Sequence, residues 1–142
     1  MKKACVFLLA LFLINCTSDD GNTNGDNVLI GKWKLIEQLV DPGDGSGTFQ
    51  TVTSDRVIEF FNDGTVKVNG ELCFMSTETG DESMGTFKKT SSNNTDIQND
   101  GCITPDNCDF SETKIYFDLP SSGNLILWYL CIEGCGQKFK KI

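Results

Sequence analysis

The sequence predicts an all-β domain built as an eight-stranded antiparallel up-and-down barrel. Three observations carry that expectation. From Val28 onward the chain has no long apolar segment of 3.6-residue period. Short runs in which apolar and polar residues alternate recur instead, as in strands that bury one face. Turn residues separate these runs: a Gly- and Asp-rich stretch over 41–47, Asn62-Asp63-Gly64, Pro120-Ser121-Ser122-Gly123, and Gly134 with Gly136.

Taken in order, residues 30–40 and 48–53 form the opening strands. Residues 56–69 then read as a hairpin, with Ile58 and Phe60 on one face of its first arm and Val66 and Val68 on one face of its second. Asn62-Asp63-Gly64 supplies the positive-φ residues that its turn needs. Strands at 71–76 and 85–90 follow. Residues 91–109 are polar and contain Asn93, Asn94, Asn99 and Pro105, so they read as one long loop. A second hairpin joins 114–119 to 124–132, and 137–142 is the last strand. The set amounts to about eight strands, as an up-and-down barrel requires.

The first fifteen residues read as a lipoprotein signal peptide. Lys2 and Lys3 precede an apolar stretch over 4–14, which leads through Leu13-Ile14-Asn15 to Cys16. At about 1.5 Å per helical residue the stretch falls well short of a ~30 Å hydrocarbon core, which argues against a permanent span. Its end resembles a bacterial lipobox, where cleavage leaves the cysteine N-terminal and acylated. Lipid on Cys16, at about 0.8 kcal/mol per buried CH2, implies a stable partnership with the membrane. Residues 16–27 are then the lipidated cysteine and a flexible acidic tether without aliphatic or aromatic side chains. Thr17 after the cysteine resembles the sorting pattern of Gram-negative outer-membrane lipoproteins. Ser18-Asp19-Asp20 resembles acidic signals for export to the outer face. The expected address is lipid-anchored at the outer membrane, on its periplasmic or cell-surface side. The tether's acidic spacing lacks the closing bidentate Glu of a calcium loop.

Twelve basic and twenty acidic residues give a formal charge of −8, with no histidine. Removing Lys2 and Lys3 with the signal leaves ten against twenty, a balance of −10. Nucleic acid is excluded as a partner, since phosphates need a basic face. The lack of histidine excludes His-dependent nucleophiles and His-bound metals, and no other catalytic constellation is legible, so the domain (28–142) reads as a non-enzyme without cofactor. Glu112 and Asp118 are acid–base types, and the 41–47 loop has calcium-binding chemistry, but exposed carboxylates and plain turns explain both. Beyond Cys5 and Cys16 remain Cys73, Cys102, Cys108, Cys131 and Cys135, whose number points to disulfides in an oxidising compartment rather than to zinc on Cys131-x3-Cys135. Two bridges leave one thiol over. A local Cys131–Cys135 bridge is worth about 2 kcal/mol and a long-range one, such as Cys102 with Cys135, about 4 kcal/mol by chain entropy, and the pairing stays open.

Gly31-Lys32-Trp33 at the start of the first strand resembles the Gly-X-Trp motif of the lipocalins. With the 41–47 loop, the Asn62-Asp63-Gly64 hairpin, Cys131 to Cys135 and the Lys138-Phe139-Lys140 ending, the domain resembles the short bacterial lipocalin-like lipoproteins. The resemblance implies a barrel closed by Gly31 and Trp33. It also implies a last-strand base over the indole, Lys138 or Lys140, with Lys141 a further choice, favourable by about 0.5 to 2 kcal/mol. A small apolar ligand would then sit above Trp33. Period-2 alternation nominates Leu35, Ile58, Phe60, Val66, Val68, Phe117 and either Leu127 or Trp128 as its lining. Eight strands enclose room for one small ligand or for side chains alone. The alternative function is a monomeric protein-binding module, such as an inhibitor of a basic extracellular protein; some small barrel lipoproteins inhibit lysozyme, and the acidic surface would steer such a partner.

Overall fold

The computed structural model describes residues 28–90, 99–110, 113–132 and 134–142. The expected signal peptide, Cys16 and the expected tether lie outside the described residues. Nine strands are assigned among those described: β1 (Gly31–Val40), β2 (Gln50–Thr51), β3 (Val57–Phe60), β4 (Thr65–Val68), β5 (Ser83–Lys89), β6 (Gly101–Pro105), β7 (Ile115–Asp118), β8 (Leu125–Trp128) and β9 (Cys135–Lys141). From β3 on, each strand pairs antiparallel with the next, and β9 returns to pair with β1. β2 meets β1 at Glu37 and Gln38, while β3 meets it at Gly31 to Lys34. Both occupy the edge of β1 opposite β9, so β2 prolongs β3 rather than adding a stave. The result is a closed eight-stranded up-and-down barrel, which leaves no long open edge for another chain to pair with.

The barrel has a base, where β1 begins and β9 ends, and a mouth, formed among the described residues by the loops at 41–56 and 69–82 and by residues 106–110, 113–114, 129–132 and 134. Turn chemistry sets the base. Gly64 has φ +84° in the β3–β4 turn, where a Cβ would be strained. Gly64→Ala is therefore expected to destabilise by about 1 kcal/mol, read by urea denaturation.

Inward residues fill the barrel. Trp33, Leu35, Ile58, Phe60, Val66, Val68, Ile103, Ile115, Phe117, Leu125, Leu127 and Phe139 are all buried. Phe60 packs edge-on against Phe87 at 5.1 Å and Phe117 at 6.1 Å. Gly101 is required here: a Cβ on it would come within 2.3 Å of the Phe117 ring. The nominated lining residues other than Trp128 thus form the packed core. The cavities at the mouth and on the outer wall reach none of the nominated lining residues, and the one at the base reaches only Phe117 among them, beside Val28 and Leu119.

Several expectations are corrected. Residues 71–76 are not a strand, because Leu72 turns into the barrel mouth while Cys73 is tied to Cys108. The polar stretch expected as a loop holds β6, whose inward Gly101, Ile103 and Pro105 are buried while Cys102 and Thr104 face outward. β6 contains one large aliphatic residue, Ile103, and so gave little periodic signal. The expected strand at 48–53 shrinks to Gln50–Thr51, and the strand expected at 124–132 stops at Trp128.

Candidate functional site

The base is a closure. The Trp33 indole N–H donates to the Leu29 carbonyl at 2.7 Å, and Lys141 Nζ lies 5.4 Å from the ring centroid while donating to Val28 O at 2.6 Å. Lys141, rather than Lys138 or Lys140, covers the indole. Residues 137, 139 and 141 share one parity of β9, and Gln137 and Phe139 are buried. Lys138 points outward, paired with Glu37 and 4.4 Å from the Phe49 ring, and Lys140 is exposed. The same alternation settles the choice on β8: Leu127 is inside. Trp128 packs outside on Phe49, its indole N–H 2.7 Å from Asp118 Oδ2.

The mouth is stoppered by residues 69–82. Leu72 is fully buried, and Met75 packs against the core. The loop's backbone is held from below: Ser54 Oγ donates to Thr77 O at 2.6 Å, Gln137 Nε2 to Ser76 O at 2.7 Å, and the Arg56 guanidinium to Glu78 O at 3.3 Å and to Glu71 O. Gln137 Nε2 also donates to Gln38 Oε1, and its own Oε1 accepts from Tyr129. Burial pushes the Tyr129 hydroxyl above its ordinary range, opposed by the neighbouring guanidinium, so it stays neutral. Sequence reasoning missed Arg56, Tyr129 and Gln137 because a polar residue on a strand reads as solvent-facing.

Two disulfides fix the rim. Cys73–Cys108 joins the loop at 69–82 to the segment after β6, and Cys131–Cys135 ties the segment after β8 to the start of β9. Cys102 is a free, half-buried thiol on the outer wall. Both a long-range and a local bridge therefore form, and Cys102 is the odd cysteine. Beside the bridges, large apolar side chains stand in solvent: Phe74 at 60%, Phe110 at 81%, Leu130 at 91% and Ile132 at 98% exposure. Phe74, Phe110 and Leu130 line a mouth cavity of about 380 Å³ together with Glu71, Asn107, Asp109 and Thr113. Each of the four lies within two residues of a bridged cysteine, a spacing legible in the sequence once the pairing is known.

The mouth loops are also acidic. Asp41, Asp44, Asp55, Glu71, Glu78, Asp81, Glu82, Asp106 and Asp109 lie on them, against Lys114 and the buried Arg56. Backbone amides of Gly43, Gly47 and Gly45 hold the Asp41 carboxyl below the usual carboxylate range, and Ser46 does the same for Asp44. These carboxylates stabilise their loop above the ordinary carboxylate range, and that contribution is lost as pH falls through their lowered values. The Asp41 oxygens are thus engaged by amides. Asp118 is likewise engaged by Trp128 and Asn99, and Glu112 lies outside the described residues. Among the described residues no three Cys, Asp or Glu side chains converge as a metal site.

Comparison of the chain with protein-family models, with curated proteins and with solved structures finds no match.

Proposed function

We propose that this protein is a monomeric lipoprotein, lipid-anchored through Cys16 at the outer membrane, whose lipocalin-like barrel is a rigid scaffold presenting its mouth to a basic extracellular protein. The observation that carries the reading is the exposure of Phe74, Phe110, Leu130 and Ile132 at the mouth, beside two disulfides, with the first three lining one cavity together with Glu71 and Asp109. Single exposed apolar residues are ordinary on soluble proteins, but a group clustered on one end of a domain marks an interaction surface. The acidic loops supply steering, and the apolar side chains supply contacts that hold once water is excluded. The chain enters the barrel at the base, so the mouth lies at the end away from the tether. The binding is non-catalytic, and the packed interior favours this reading over an apolar ligand above Trp33.

Lysozyme serves as the basic probe, with an acidic protein of similar size as control. In titration calorimetry lysozyme is expected to bind, and more weakly as salt rises, because screening shortens the reach of the acidic loops. Replacing Phe74, Phe110 and Leu130 together with Ser is expected to weaken binding at least about tenfold, roughly 1.4 kcal/mol. Equal binding of the acidic control, or a triple variant as tight as wild type, would overturn the proposal.

A further inference from the structure

The cavity at the mouth has the chemistry of a receptor for one cationic side chain. Three segments distant in sequence build it. Glu71 and Phe74 come from the loop at 69–82, Asn107, Asp109 and Phe110 from the segment after β6, and Leu130 from the segment after β8. The Cys73–Cys108 bridge lies in its wall and ties the first two segments together. Local bonds hold these groups in place. Asn107 lies at φ +57°, a conformation asparagine tolerates better than most residues, and turns the chain just before the bridge. Thr113 donates its N–H at 3.1 Å and its hydroxyl at 2.8 Å to the Phe110 carbonyl. Glu71 Oε1 accepts the Cys73 N–H at 2.9 Å, which orients the carboxylate and leaves Oε2 to a ligand. No lysine or arginine is among the described residues that line the cavity.

We propose, building on the protein-binding reading above, that this cavity is the socket for a single arginine side chain of the basic partner. The guanidinium meets the carboxylates of Glu71 and Asp109 through charge-assisted hydrogen bonds, and its face stacks on the Phe74 or Phe110 ring. Its methylenes lie along the rings and Leu130. The apolar walls keep water from the ion pairs, which strengthens the attraction. Each other occupant loses one of these contributions. An apolar side chain would cover two carboxylates and leave them without a partner. A lysine ammonium supplies the charge but has neither a plane to stack nor a fork of donors. At about 380 Å³ the cavity is near the small end of the range for ligand pockets and suits one side chain rather than a length of chain. Ile132, which is exposed at the mouth and does not line the cavity, is left for apolar contact around the inserted group.

The test titrates the purified protein with three blocked pentapeptides whose central residue, among glycines, is arginine, lysine or citrulline, the neutral isostere of arginine. Binding is read from the backbone amide chemical shifts of Phe74, Asn107, Phe110 and Leu130. The arginine peptide is expected to bind at least about tenfold more tightly than the citrulline peptide and about threefold more tightly than the lysine peptide. Glu71→Gln/Asp109→Asn keeps the size of both side chains and the acceptor for the Cys73 N–H, and is expected to abolish the preference over citrulline. Phe74→Leu/Phe110→Leu removes the rings and is expected to abolish the preference over lysine. No shift at these amides with the arginine peptide, equal binding of arginine and either rival, or a preference that survives its variant overturns the assignment. Titration with lysozyme beside it separates the two readings. Lysozyme bound with no peptide preference refutes the socket and leaves the rim, whereas arginine peptide bound without lysozyme refutes the rim reading and leaves the socket.

Discussion

Trp33→Ala is expected to destabilise the domain by about 3 to 5 kcal/mol, the range for removing a fully buried large aromatic side chain. The indole is wholly buried, and three separate interactions depend on it. It contributes the apolar floor of the core. Its N–H satisfies the Leu29 carbonyl at 2.7 Å, which fixes the chain as it enters β1. Its face receives Lys141, and that lysine in turn holds Val28. Alanine leaves a cavity at the base, an unpaired carbonyl and a cation without its ring. Trp33→Phe keeps the ring face but loses the indole hydrogen bond, so an intermediate loss is expected. Urea denaturation of the two variants measures both, and a loss below about 1.5 kcal/mol for Trp33→Ala would show that the base collapses around the gap.

Removing the Cys73–Cys108 bridge as Cys73→Ala/Cys108→Ala is expected to lower stability by about 4 kcal/mol, against about 2 kcal/mol for Cys131→Ala/Cys135→Ala. The difference follows from loop length. The first bridge closes a sequence separation of 35 and the second a separation of 4, so the first removes far more freedom from the unfolded chain. The first also holds the loop whose Leu72 stops the barrel mouth, and freeing that loop exposes part of the core to water. The two double variants are compared by chemical denaturation under non-reducing conditions. Equal losses would mean that the bridge at 73 and 108 constrains little that the folded loop does not already hold.

Much of the barrel was legible because strands with one buried face alternate visibly. The β3–β4 hairpin is the clearest case: Ile58, Phe60, Val66 and Val68 all point inward, and Gly64 lies at positive φ in its turn. β6 was illegible because the barrel there needs small inward residues, Gly101 beside Phe117 and Pro105 at the strand's end, which read as loop composition. Residues 71–76 misled in the opposite sense. Leu72 and Phe74 have strand-like spacing, but the bridge at Cys73 turns the chain so that one is buried and the other stands in solvent. The covering lysine could not be chosen by composition, since Lys138, Lys140 and Lys141 crowd one strand. The register of β9 against β1, which pairs Lys141 with Trp33, decides it. Arg56 gave no signal, because its burial depends on a loop folding back over it from thirteen or more residues away.

Whether the filled barrel binds through its mouth, as proposed, is tested most directly by mapping backbone amide chemical shifts during titration with lysozyme. The predicted result is a set of perturbations concentrated at Phe74, Phe110, Leu130 and Ile132 and their acidic neighbours, with the amides of Leu35, Val66 and Phe117 unmoved. Perturbations confined to the base around Lys141 and Trp33, or spread evenly over the outer wall, would contradict the account.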